Sequence, residues 1–464
     1  MEKNELRLLS WSGFMHRILK MSLRMLAAGA GIAAALAVAG CGEEQRMASD
    51  PDLDDLAQAY VILELAMGLH DANHVDAYYG PEELRRNAED AGLTLSDIAD
   101  EAEALAKRVA DWPGNRSNRM QLRRIEGLQQ RLRALSARVA INQGHTFSFD
   151  EESRLLFGVT APDHDAAHFE EILQQIDALL PGDGSLSSRV NDFQNRFVIP
   201  PDKIAAVFDA AIAECRRRTL EQIDLPANES FTLEYVTDKP WSGYNWYQGS
   251  SQSLIQINPD LPIFISRAVD LGCHEGYPGH HTFNVLLERN LVEREGWVEF
   301  ALYPLFSPAS LIAEGSGNYG IELACPGEER VRFETRELFP LAGLDPAEAD
   351  RYYALQELLD ELSYAGNEAA RDYLNGDIDR EQAAEWLQEY ALASPERARQ
   401  RVDFFDTYRS YVINYNLGQD LVRGYVERGT AAGGAEGAGA ERRWKRFAAM
   451  LSTPTLPADL APAD

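Results

Sequence analysis

His274-Glu275-Gly276-Tyr277-Pro278-Gly279-His280-His281 sets three imidazoles and a carboxylate within eight positions. A His followed by Glu, with another His about a turn on, lets one helix offer two imidazoles to a metal and a carboxylate to its water. The usual spacing is i and i+4, but here i+4 is Pro278, which cannot ligate. His280 stands at i+6, which on a regular helix lies about 9 Å up the axis and about 240° round. Two nitrogens on one tetrahedral zinc are only about 3.3 Å apart, given Zn–N bonds of about 2.0–2.1 Å. His281, at i+7, is on the right face but about 10 Å along. Either no metal binds here, or the helix is broken between the histidines. Pro278-Gly279 is a pair suited to break it. Proline removes a donor and crowds the preceding turn, and glycine reaches unusual φ/ψ. The stretch predicts an interrupted helix that swings His280 back beside His274.

HEGYPGHH resembles the HExxPGHH motif of a bacterial family of unknown function, itself similar to the gluzincin zinc metallopeptidases but with a longer spacer. The resemblance runs from roughly residue 50 to the C-terminus, and only two segments carry it specifically. It implies a mainly α (α+β) gluzincin-like architecture, with two lobes around a cleft and a small β-sheet beside the zinc helix. It also implies that a Glu-Gly-Trp-Ala-x-Tyr segment supplies a third, carboxylate ligand. The matching segment is Glu314-Gly315-Ser316-Gly317-Asn318-Tyr319, with Glu322 further along. Ser316 stands where the family has Trp, and Gly317 and Gly320 fall inside an expected helix. The ligand set so implied is His274, His280 and Glu314 on Zn2+. His281 and Glu322 are expected close behind it.

The chain has 464 residues, 45% of them hydrophobic, which sustains a sizeable core and excludes wholesale disorder. A net charge of −30 repels phosphate backbones, so nucleic-acid binding is not expected. Leu26 to Gly40 is apolar and follows Arg17, Lys20 and Arg24, the layout of a secretory signal. It ends Val38-Ala39-Gly40-Cys41, which resembles a bacterial lipobox. In lipoproteins the signal is cut before this Cys and the thiol is lipidated. The expected organisation is a signal peptide over 1–40, a tether over 41–52, an N-terminal helical lobe over 53–225 and a zinc lobe with C-terminal helices over 226–464. The expected location is the cell envelope, lipid-anchored at the outer membrane or the periplasmic face in a Gram-negative cell. With Cys41 lipidated, Cys215, Cys273 and Cys325 allow at most one disulfide. Cys273 reads as a small buried residue of the motif helix.

Helical periodicity dominates from Leu53, and again over Leu122 to Val139 and Ala166 to Leu180. His164 and His168 are an i,i+4 pair with no adjacent base, and read as surface histidines. The texture changes at Phe231. Phe231–Val236, Tyr244–Tyr247 and Ser253–Asn258 are strand candidates just before the motif. The last of them reads as an edge strand able to pair with an extended peptide. Asn258, Tyr244 and Arg409 are candidate substrate contacts, Arg409 as a carboxylate anchor. Tyr411 and Tyr415, in an aromatic stretch late in the chain, are candidate oxyanion donors. Residues 430–440 are Gly/Ala-rich and read as a loop.

The chemistry expected is zinc-assisted amide hydrolysis, with Glu275 moving the proton of the attacking water to the leaving amine. Three readings compete: a metallopeptidase acting on peptides at the envelope, a zinc hydrolase of non-peptide amides or esters, and a non-catalytic lipoprotein that keeps the fold. A closed four-ligand shell would favour the third. An unpaired strand edge beside the metal would favour the first.

Overall fold

The interrupted motif helix sits in the middle of a mostly α-helical chain. The computed structural model describes residues 51–114, 118–239, 241–428 and 438–461. Residues 1–40 and Cys41 lie outside these, as do residues 429–437 of the Gly/Ala-rich stretch. The tether expectation ends early, because a helix already starts at Pro51 and runs to Gly68. Likewise Ala438–Leu451 is helical, which takes in the end of the expected loop. No helix among the described residues is long and apolar enough to cross a membrane.

Among the described residues, five strands form two small sheets. They are β1 (Val75–Tyr78), β2 (Ser230–Tyr235), β3 (Gly243–Gly249), β4 (Gln252–Ile257) and β5 (Leu302–Pro304). β1 and β5 pair antiparallel. The other sheet has the order β2-β4-β3, with β2 parallel and β3 antiparallel to β4. The three strand candidates are all strands, but β4 is the central one. Asn258 therefore follows a central strand, and β3 is an edge. Its Trp246 is 47% exposed. The tight Ser250-Ser251 reversal, at φ 56° and 61°, folds β4 straight back on β3, and β2 takes the other side of β4.

The main hydrophobic cluster includes Phe169, Ile204, Phe208, Val269, Tyr319, Phe339, Tyr352 and Phe447. It spans both sides of residue 225, so the two expected lobes share this core. A second cluster lies among Leu53–Val139 and takes in Leu302. Cys215, on the helix Ile204–Leu220, is bonded to Cys273 in the motif helix, the single disulfide that the cysteine count allows; Cys273 is buried, as expected. The bridge closes a 58-residue separation, worth about 4 kcal/mol of unfolded-chain entropy. Cys325 is buried and free.

Candidate metal centre

The motif begins as the helix Ser266–Leu271, continues as a π-helical turn over Gly272–Gly276, and stops at Tyr277, which is extended. The Tyr277–Pro278 peptide is cis. A new helix starts at His280 and runs to Leu287. Between the two, the Gly279 amide donates to the Cys273 carbonyl at 3.0 Å, folding the chain back on itself. A Cβ on Gly279 would sit 1.8 Å from the His274 carbonyl oxygen, so only glycine permits the fold-back. The expected break is there. It brings the His274 and His280 rings to a centroid distance of 4.5 Å, edge to face.

Glu314 comes from the facing helix, Pro308–Ala324. Its Oε2 lies 3.2 Å from His274 Nε2 and 3.8 Å from His280 Nε2. Ligand atoms around one tetrahedral zinc are about 3.3 Å apart. Oε2 is buried and makes no hydrogen bond. Buried polar atoms are normally paired, so an orphan flanked by two imidazole nitrogens fits a cation. The Glu275 carboxylate is also close: one oxygen of it and one nitrogen from each of His274 and His280 lie within 4.8 Å of one another. The donor set of two imidazoles and a carboxylate suits zinc.

The glycines of this helix each admit a neighbour. A Cβ on Gly317 would come within 2.8 Å of the His274 ring, and one on Gly320 within 3.1 Å of Pro278. One on Gly315 would lie 2.3 Å from the Gly418 backbone, so the helix Ile413–Glu427 crosses here almost backbone to backbone. Ser316 is buried and donates to the Ala313 carbonyl.

Asn318, one turn after Glu314, has no role that sequence alone assigns. Its Oδ1 accepts from His274 Nδ1 at 2.9 Å, and its Nδ2 donates to the Tyr415 carbonyl at 2.8 Å. The second bond fixes which way the amide points, so Nδ1 carries the proton and Nε2 is left for a metal. A signal is present in the spacing, because i and i+4 share a helix face. Asn318→Ala is expected to weaken zinc binding about 10- to 100-fold, measured by competition with a chromogenic chelator. Wild-type affinity in that variant would reject an orienting role.

Tyr411 donates its hydroxyl to Glu314 Oε1 at 2.7 Å. Its hydroxyl is therefore engaged by Glu314 and does not stand free as an oxyanion donor. Tyr415 packs on Tyr411 at 5.8 Å. Arg409 does not face a substrate: its Nε donates to the buried Glu152 at 2.6 Å. The same carboxylate accepts from the Ser410 amide and hydroxyl, which holds Arg409 at φ 53° and aims Tyr411 inward. His281 is not behind the ligands either. It is fully buried between Ser253 Oγ at 2.8 Å and Glu229 Oε2 at 3.0 Å. Glu322 points away to Arg423. Asn258 bonds the Lys239 carbonyl at 2.9 Å and its own turn at Asp260, and lines a separate cavity with Trp241 and Gln400. His164 and His168 stack on each other at 4.3 Å, away from these residues.

Tyr244 donates to Asp76 on β1 at 2.8 Å. Burial lifts Asp76 to about 6 against that hydrogen bond, and the Glu314 charge adds to the lift. Glu275 is packed by β3: a Cβ on Gly243 would lie 2.9 Å from its Oε1, and Asn245 donates to its carbonyl at 2.7 Å. Burial raises Glu275 to about 7, against the pull of His274. Burial lowers His280 to about 4, with His274 adding to the effect, which favours the neutral imidazole that a metal would need. For His274 burial opposes the proton but the Glu314 contact and the Glu275 charge outweigh it, so its pKa is raised. Glu314 is lowered, because His274 and His280 overcome the burial that would raise it.

Solved structures resemble the chain in outline. A protein of Colwellia psychrerythraea described as a lipoprotein matches at 13% identity and a TM-score of 0.49, covering 90% of this chain and 76% of its own. An M32 carboxypeptidase of Deinococcus radiodurans R1 matches at 13% identity and 0.44, covering 87% and 91%. No protein-family model and no curated protein matches. At these identities neither structure speaks to the chemistry of this chain.

Proposed function

We propose that the protein is a zinc-dependent hydrolase, most simply a metallopeptidase, held at the cell envelope by a lipid on Cys41. The observation that supports this best is the buried Glu314 Oε2, without a hydrogen bond and flanked by the Nε2 atoms of His274 and His280. His274, His280 and Glu314 would hold Zn2+, which when bound polarises a carbonyl and acidifies water. Asn318 and Tyr411 keep two of the ligands in register. Glu275, one residue after His274, accepts the proton of the attacking water and returns it to the leaving amine. Tyr415 is the remaining candidate for hydrogen-bonding the developing oxyanion.

Two further observations favour catalysis of a peptide. His281 and Glu322, which could have closed the shell, are engaged elsewhere. An edge strand, β3, begins at Gly243 beside Glu275, where an extended peptide could add by main-chain pairing. The first test is elemental analysis of the wild type and Glu314→Ala together. The expected result is about one zinc per chain in the wild type and much less in the variant, as removal of one of three protein ligands predicts. No metal in either after zinc addition would reject this reading and favour the non-catalytic one.

A further inference from the structure

We propose that the Arg401 guanidinium receives the free α-carboxylate of a peptide, which makes the protein a carboxy-terminal exopeptidase. The proposal rests on the hydrolase reading above. Arg401 lies on the helix Pro395–Tyr408. Its guanidinium sits over Phe404 at 4.7 Å, Phe405 at 5.8 Å and Tyr415 at 6.0 Å. Among the described residues it meets no carboxylate and no hydrogen-bond acceptor, whereas arginines on the elements packed against this helix are paired. Arg409 holds Glu152, Arg380 holds Asp403, and Arg371 holds Glu368. The chain has 74 acidic residues to 44 basic ones. An anion-rich protein that leaves a half-buried guanidinium without a partner has an anion site to fill. Cations removed from water are ordinarily paired, and the fork geometry of arginine matches a carboxylate bidentately.

The position is what links it to the site. Tyr415 is the shared wall: Arg401 packs on its ring, and the ring packs in turn on Tyr411, whose hydroxyl holds Glu314. The Tyr415 carbonyl holds Asn318, and through it His274. Arg401 thus stands two aromatic rings from the ligand set, a span that a few extended residues cover at about 3.3–3.6 Å each. Burial lowers the guanidinium pKa, the direction a bound carboxylate would reverse. Arg397, one turn earlier, adds positive charge to the same helix; it donates to the Pro262 carbonyl at 3.3 Å and lies over the Phe264 ring. The anchoring part expected of Arg409 falls instead to Arg401, because Glu152 has already claimed Arg409.

The test compares one peptide as the free acid and as the C-terminal amide, using the full chain loaded with zinc, with products identified by mass spectrometry. The wild type is expected to prefer the acid by on the order of 10²-fold in kcat/KM, the usual scale when a desolvated charge is left without its hydrogen-bonding partner. In Arg401→Met the ratio of acid to amide should collapse towards one, and in Arg401→Lys part of it should survive. A wild type indifferent to amidation, or an Arg401→Met variant with the ratio intact, overturns the proposal. Should the wild type cleave no peptide, the hydrolase reading fails, and calorimetry decides Arg401 separately. N-acetyl-phenylalanine should then bind the wild type more tightly than its carboxamide does, and the two should bind Arg401→Met equally; equal binding in the wild type overturns the proposal.

Discussion

Glu275→Gln is expected to retain about one zinc per chain and to lose at least about 10³-fold in kcat, within the range that a positioned proton carrier contributes. The two halves of that result separate the roles of neighbouring residues. Glu275 is buried and lies within 4.8 Å of the His274 and His280 nitrogens, but it is Glu314 Oε2 that lies between them. Glutamine keeps the shape, the packing against Gly243 and the backbone bond from Asn245, and removes only the ability to carry a proton. Zinc content from elemental analysis and turnover on a fluorogenic peptide should therefore part company. Turnover within about tenfold of wild type would remove Glu275 from the mechanism. Loss of zinc together with turnover would instead make it a ligand.

Gly279→Ala is expected to be more damaging than alanine at any other described glycine, because its Cβ would make the shortest contact with backbone. The added carbon would meet the His274 carbonyl oxygen at 1.8 Å and the Cys273 carbonyl oxygen at 2.5 Å. Both are backbone atoms, so no side chain can swing away to relieve the clash. Relief requires opening the Gly279–Cys273 hydrogen bond, and that bond sets the distance between the two imidazoles. We expect a loss of about 3–5 kcal/mol in stability, the range typical of backbone strain combined with broken buried bonds, and a zinc affinity lower by more than about 10²-fold. Thermal unfolding with and without a chelator measures both. A variant that binds zinc and melts like the wild type would show that the fold-back is not what joins the histidines.

How much of the molecule is legible in its sequence follows from the range of each interaction. The break at Pro278-Gly279 can be read directly, because helical geometry forbids the alternative within six residues. Glu314 comes from family resemblance, since nothing local ties it to His274. The strands come out of alternation, but their order does not: β4 is central because β2 returns parallel to it from outside the hairpin. Arg409 is drawn to the site by its place in an aromatic stretch late in the chain, and His281 and Glu322 by closeness in sequence to the motifs. Each is instead claimed by a distant partner: Glu152, Glu229 and Arg423. Such pairings across the chain leave no periodic trace. Asn318 can be found by its helical spacing, whereas Arg401 is recognised only by what fails to surround it.

The bridge between Cys215 and Cys273 bears on how the protein must be made. Cys325 lies with those two sulfurs within a 4.8 Å cluster. In a reducing cytoplasm the same three positions would be thiols, with Cys273 next to His274 in the chain, and thiolates are the softer and more avid zinc donors. Material produced there can carry a full complement of metal on the wrong ligands. Stoichiometry alone would then mislead, and export to an oxidising compartment is the preparation in which zinc content reports on the imidazoles.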